Sequence, residues 1–149
     1  MIDLDPRAED NGLALMLKGL LDENIAASAS KLRDFGAINT RFAVVAPDAE
    51  VTVTLWFESG TCTIYDGLRE GVEVVITADS GKIPELSLLQ MRYGIPWLLD
   101  DAGKSFVRAL LSREIKIAGL VDLPIPRPLS TARRAIDLLR LTRVLSVNG

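Results

Sequence analysis

The chain has 149 residues, a length that fits one domain with a real core, and carries 17 lysines and arginines against 20 acids for a net charge of −3. It contains no histidine and one cysteine, which removes Ser-His-Asp and Cys-His catalysis and the usual zinc sites; the acidic balance argues against nucleic acid as a partner. Hydrophobic residues reach 48% and mean hydropathy is +0.24, yet no apolar run approaches the ~20 residues needed to span a bilayer.

The start, Met1-Ile2-Asp3-Leu4-Asp5-Pro6, is acidic and lacks the basic and apolar regions of a signal peptide. Cys62 has no partner for an internal disulfide, so the expected compartment is the reducing cytoplasm. Asp5-Pro6 reads as an N-cap followed by proline at the first helical position. Leu13, Met16, Leu17, Leu20 and Leu21 fall on one stripe at helical spacing, Ile25, Leu32 and Phe35 extend it, and Gly36 is a stop signal. The spacing predicts a helical N-terminal segment within 1–36, as one helix or two with a break near Asp22–Asn24.

Four β-like runs follow: Arg41–Pro47, Val51–Glu58, Thr61–Tyr65 and Val72–Ala78. In the second, Val51, Val53, Leu55 and Phe57 share one face and Thr52, Thr54, Trp56 and Glu58 the other. Ser59-Gly60 is a two-residue hairpin signal. Asp66-Gly67 and Gly71 bracket the next turn, and Val72, Val74 and Ile76 alternate with Glu73, Val75 and Thr77. The pattern predicts an antiparallel meander with one buried face and one threonine-rich face.

From Ser80 the period becomes helical, with Ile83, Leu86 and Leu89 on one side and Pro84 in the first turn. Gly94-Ile95-Pro96 ends that helix. Asp100 or Asp101 caps another carrying Phe106, Leu110 and Leu111. A fifth β-like run, Arg113–Gly119, precedes the stiff connector Pro124-Ile125-Pro126-Arg127-Pro128. Ser130 or Thr131 then caps a final helix with Ile136, Leu138 and Leu139. Residues 124–149 hold five arginines (Arg127, Arg133, Arg134, Arg140, Arg143) against Asp137, a net of +4 that leaves −7 on the rest. Two readings of this basic C-terminal helix stand: transient contact with an anionic membrane, or a solvated face that pairs with the acidic body. No repeat or linker divides the chain, so 1–149 is expected to be one domain.

The order of these elements, with the run Leu110-Leu111-Ser112-Arg113-Glu114-Ile115-Lys116-Ile117-Ala118-Gly119 and the strand end Ile76-Thr77-Ala78-Asp79-Ser80, resembles the sterol carrier protein 2 family. The likeness covers roughly residues 40–142. Arg113-Glu114 stand where the family has Gly-Lys, and the Tyr93–Lys104 segment is longer than usual. The resemblance implies an α+β fold: a five-stranded, mainly antiparallel sheet with helices packed on one face and an apolar cavity between the layers. It implies a non-catalytic carrier of a sterol, fatty acid or fatty acyl-CoA. The alternative is an interaction module of lipid or isoprenoid-quinone metabolism that keeps the fold and has no open cavity.

If there is a cavity, its wall is expected from the inward sets Val53, Leu55, Phe57, Ile64, Val74, Ile76 and Ile117. Its lid is expected from Leu89, Met91, Trp97, Leu98, Phe106 and Leu110. The plain alternative is that these side chains close-pack as a core. Met91, Trp97 and Leu98 stand out as adaptable or large apolar side chains in the extra segment; Gly94 and Pro96 flank them, and the piece reads either as a gate or as a loop tucked onto the core. Trp56 and Tyr65, on the threonine face, suggest either a homodimer surface or partial cover by a neighbouring helix or loop. Cys62 faces inward and reads as an inert thiol. Gly81-Lys82 fails the phosphate-loop pattern, because Ile76 and Ile83 occupy its glycine and hydroxyl positions. Asp100-Asp101 is explained by capping rather than acid–base work.

Overall fold

The alternating stretch 41–66 builds the frame of the molecule. The structure is a computed structural model that describes residues 1–83, 91–92, 95–96, 104, 108, 115–119 and 128–145. Its strands are β1 (Ile2–Leu4), β2 (Arg41–Ala46), β3 (Val51–Glu58), β4 (Thr61–Asp66), β5 (Val74–Ala78), β6 (Met91–Arg92), β7 (Ile95–Pro96) and β8 (Ile115–Ala118). Six of them form one mixed sheet in the order β1-β4-β3-β2-β5-β8, and β6 pairs antiparallel with β7 in a separate two-stranded sheet.

Strands β2, β3 and β4 are the expected antiparallel meander, with Arg41 opposite Trp56 and Glu58 opposite Thr61. Ser59 (φ 50°) and Gly60 (φ 79°) both take positive φ, the geometry of a two-residue hairpin that matches strand twist. The fourth strand departs from the expectation. Instead of extending the meander beside β4, β5 crosses back and pairs with β2 in parallel, Phe42 opposite Val74. Alternation fixes which face a side chain takes; it does not fix which strand lies alongside. The connection 67–73 crosses the outer face: Thr54 Oγ1 donates to the Gly67 carbonyl at 2.7 Å and accepts from the Arg69 N–H at 3.2 Å.

The sheet also has six strands rather than five. The extra one is β1, which pairs parallel to β4 at the edge, Ile2 opposite Cys62. Three residues are too few for a period to register in the sequence. At the opposite edge β8 pairs antiparallel to β5, Ile117 opposite Ile76. Gly119 follows with φ 98°, and a Cβ there would lie 2.0 Å from the Glu73 carbonyl oxygen. Only glycine fits so close an approach.

Three α-helices among the described residues cover the inner face: α1 (Gly12–Ala27), α2 (Ala29–Ala37) and α3 (Pro128–Leu145). Asp5-Pro6 opens only a 3-10 turn, Pro6–Ala8. The cap of α1 is Asn11, whose Oδ1 accepts from the Ala14 N–H at 3.1 Å. The break between helices falls at Ser28, which caps α2, and not at Asp22–Asn24. Asn24 is buried within α1 and donates to the Val144 carbonyl at 2.8 Å, satisfying an orphan group near the end of α3. Gly36 lies inside α2 rather than terminating it.

The apolar stripe of α3 is also displaced from the expected one. Leu141 and Val144 are buried together with Asp137, whereas Ile136 and Leu139 are 47% and 37% exposed. Positions 137, 141 and 144 repeat at helical spacing and meet the sheet; the apolar pair at 136 and 139 belongs to another face. The core is tight where α2 meets the sheet. Phe57 contacts Phe35 edge-on at 5.6 Å and Phe42 at 5.9 Å between ring centroids.

Of the predicted helices between β5 and β8, the structure describes Ile83, Lys104 and Arg108 as helical. Leu86, Leu89 and Asp100–Asp101 lie outside the described residues. So do Leu111 and the connector before Pro128. Among the described residues no helix is long and apolar enough to cross a membrane.

Candidate functional site

The candidate site is a small apolar hollow at the seam between sheet and helices. Val44 of β2 and Ile76 of β5 form its floor, because both point inward on neighbouring parallel strands. Leu17 and Leu20, three apart on α1, form one wall. Leu141 and Leu145, four apart on α3, form the other, and Ile83 closes the end beyond β5. The hollow measures about 20 Å³, room for about one water-sized guest. An aliphatic lining offers water no hydrogen-bond partners, so a void of this kind stays dry.

The expected wall residues divide. Ile76 lines the hollow. Val53, Leu55, Phe57, Ile64 and Val74 are fully buried but pack in the core beside it. Ile117 is half-buried on the edge strand β8 and packs against that core. Met91 lies in β6. Trp97, Leu98, Phe106 and Leu110 lie outside the described residues. Leu141 and Leu145 carry their own signal in the spacing 138, 141, 145, which the sequence overlays with the competing apolar pair 136 and 139.

Around the hollow, polar groups are tied up in structure. Asp137, 1% exposed, accepts from the Asn39 N–H at 3.1 Å, Thr40 Oγ1 at 2.7 Å and Arg140 Nη1 at 2.8 Å. Three donors satisfy the buried carboxylate and stitch α3 to the start of β2. Arg143 binds both oxygens of Asp34, at 3.0 and 2.8 Å. Arg133 and Arg134 both reach Glu73, and Arg134 also donates to the Gly119 carbonyl at 3.1 Å. The basic helix thus spends much of its charge on the acidic body.

Burial pushes the Cys62 thiol well above its ordinary range, as expected of an inert sulfhydryl. Desolvation lowers Lys31, which is buried at the base of α2. Among the described residues no cluster of His, Cys, Asp or Glu is arranged to hold a metal. What this arrangement can do chemically is bury apolar surface.

No protein-family model matches the chain, and no curated protein matches it by sequence. Solved structures do. UbiJ-SCP2, a ubiquinone synthesis protein, is similar with a TM-score of 0.55 at 11% identity, over 87% of this chain and 95% of that one. A crystal structure of sterol carrier protein 2 gives 0.49 at 16% identity, over 90% and 96%. With its mixed sheet covered by helices on one face, this chain has the sterol carrier protein 2-like fold.

Proposed function

We propose that the chain is a non-catalytic lipid-binding domain that takes a sterol, fatty acid or fatty acyl chain at the seam between sheet and helices. The observation that carries this reading is the hollow whose described lining is aliphatic, from α1, α3, β2, β5 and Ile83. Each buried methylene of a ligand contributes about 0.8 kcal/mol, so a long tail binds without a charged contact. At about 20 Å³ the hollow is a starting point, and a ligand enters by spreading the leucines of α1 and α3. The protein works in the cytoplasm on this reading. Exposed Ile136, Leu139 and Arg133 give α3 a surface for brief contact with an anionic bilayer.

Organic extraction of the purified protein, followed by mass spectrometry, tests the proposal together with titration by a fluorescent fatty acid or sterol. Co-purifying lipid and saturable binding are expected. Val44→Phe, which fills the floor of the hollow, is expected to abolish both while thermal unfolding stays cooperative. Absence of extractable lipid and of saturable binding in the folded wild type sinks the carrier reading.

A second reading is favoured by the same small volume: an accessory module of lipid or isoprenoid-quinone metabolism that keeps the fold and binds proteins. A stable protein partner with no extractable lipid would select it.

A further inference from the structure

A second hollow lies at the end of the sheet where β2 begins and β3 ends, and it shares no residue with the first. It measures about 350 Å³ and is framed by Asn39, Arg41, Trp56, Glu58, Glu73 and Arg133. Its chemistry is the reverse of the aliphatic seam.

Arg41 is its most informative residue. The register places it directly opposite Trp56 on the outer face, and its guanidinium lies 3.7 Å from the centre of the Trp56 ring. From the other side Gly71 closes in, where a Cβ would come within 2.8 Å of Arg41 Nη1. The guanidinium is therefore held in place by an aromatic face and by backbone. Among the described residues it forms no ion pair and no side-chain hydrogen bond.

The two carboxylates that line the cleft have partners other than Arg41. Glu73 is drawn to Arg133 and Arg134. Glu58 accepts from the Trp56 indole N–H at 3.3 Å. A stacked guanidinium with its N–H fork unused is a receptor already organised for a planar or tetrahedral oxyanion.

We infer that this cleft binds a small molecule bearing a carboxylate or phosphate group, with Arg41 as the receptor fork. Arg133 lines the same cleft, held by its ion pair with Glu73. The remaining acceptor capacity of Glu58 suits a hydroxyl or ammonium group on the same ligand. The ligand is thus a polar oxyanion, chemically unlike the apolar guest proposed for the seam.

Two-dimensional NMR of the isotope-labelled protein tests this at constant ionic strength set with chloride. The indole N–H of Trp56 and the Arg41 Nε–H are followed during titration with inorganic phosphate, acetate and a soluble short-chain phosphatidic acid. Saturable shifts at both groups are expected with at least one probe. Tighter binding of the phosphatidic acid than of phosphate assigns a lipid headgroup as the natural source; equal or weaker binding assigns a free anion.

Arg41→Lys keeps the charge and loses the fork, and is expected to weaken binding about tenfold. Arg41→Ala is expected to abolish it, while Arg69→Ala, outside the cleft, leaves it unchanged. Shifts that grow linearly with every probe and are the same in wild type and Arg41→Lys overturn the inference. The Trp56 and Arg41 shifts read the cleft and the Val44→Phe variant reads the seam, so either proposal can fail without the other.

Discussion

Trp56 and Phe57 are neighbours in sequence and lie on opposite faces of β3, and the two faces are held by different physics. Phe57 sits among Phe35 and Phe42 in a close-packed interior, where stability comes from area removed from water and from shape complementarity. Trp56 lies under the Arg41 guanidinium and meets Tyr65 edge-on at 6.2 Å. Tyr65 in turn lies 4.4 Å below Arg69, which pairs with Asp5. Among the described residues the outer face is thus neither bare nor packed under a helix. Two arginines and the 67–73 crossover cover it in part, the second of the two readings offered for the aromatic pair. An inner face built this way suits an apolar guest, and an outer face built this way suits a polar one.

Substitutions on the two faces should separate these mechanisms by size. Phe57→Ala removes a ring from the centre of the aromatic cluster and is expected to cost about 3–5 kcal/mol in urea unfolding. A loss below about 1 kcal/mol would mean that the inner face is loosely packed there. Asp137→Ala strands the Asn39 N–H, the Thr40 hydroxyl and the Arg140 guanidinium at the helix–sheet junction. Its expected cost is about 2 kcal/mol, because buried donors lose their acceptor. Thr40→Val in the Asp137→Ala background should then recover part of the loss, since one stranded donor is removed.

Trp56→Ala loses one stacked cation and one edge-on aromatic contact at a half-exposed site. About 1 kcal/mol is expected, and a cost equal to that of Phe57→Ala would erase the distinction between the faces. The smallest effect is expected at Asp48, outside both faces. Ser80 Oγ at 2.7 Å and the Ser80 N–H at 2.8 Å donate to its carboxylate. These bonds, the side-chain one foremost, hold it below the ordinary carboxylate range. The contribution is fully present above that ordinary range and is lost as pH falls through the lowered value. Asp48→Asn should therefore lower thermal stability slightly at neutral pH, converge on wild type at acid pH where the contribution is already lost, and so flatten the acid side of the profile.

Strand faces were legible because alternation is a local property of each run. Val53, Leu55 and Phe57 are buried as their spacing predicts, with Trp56 on the other side. Gly60, Gly67 and Gly71 mark turns that do take positive φ. The helix break was harder to read, because Asn24 resembles a breaker until its carbonyl partner, 120 residues away, is seen. For the candidate site, Ile76 was readable from its strand. Leu141 and Leu145 were not, since their helix presents two apolar stripes and only contact with the sheet selects one.

By itself the sequence determined the strands of the 41–66 meander and their faces, excluded histidine chemistry, and carried the resemblance to the sterol carrier protein 2 family. Tertiary structure decided the parallel return of β5 beside β2, the β1 edge strand, the engagement of the C-terminal arginines and the two hollows. The physical reason is range. Periodicity, capping and turn signals act over a few residues, whereas strand neighbours, ion pairs and cavities are set by groups dozens of positions apart that meet only when the layers close.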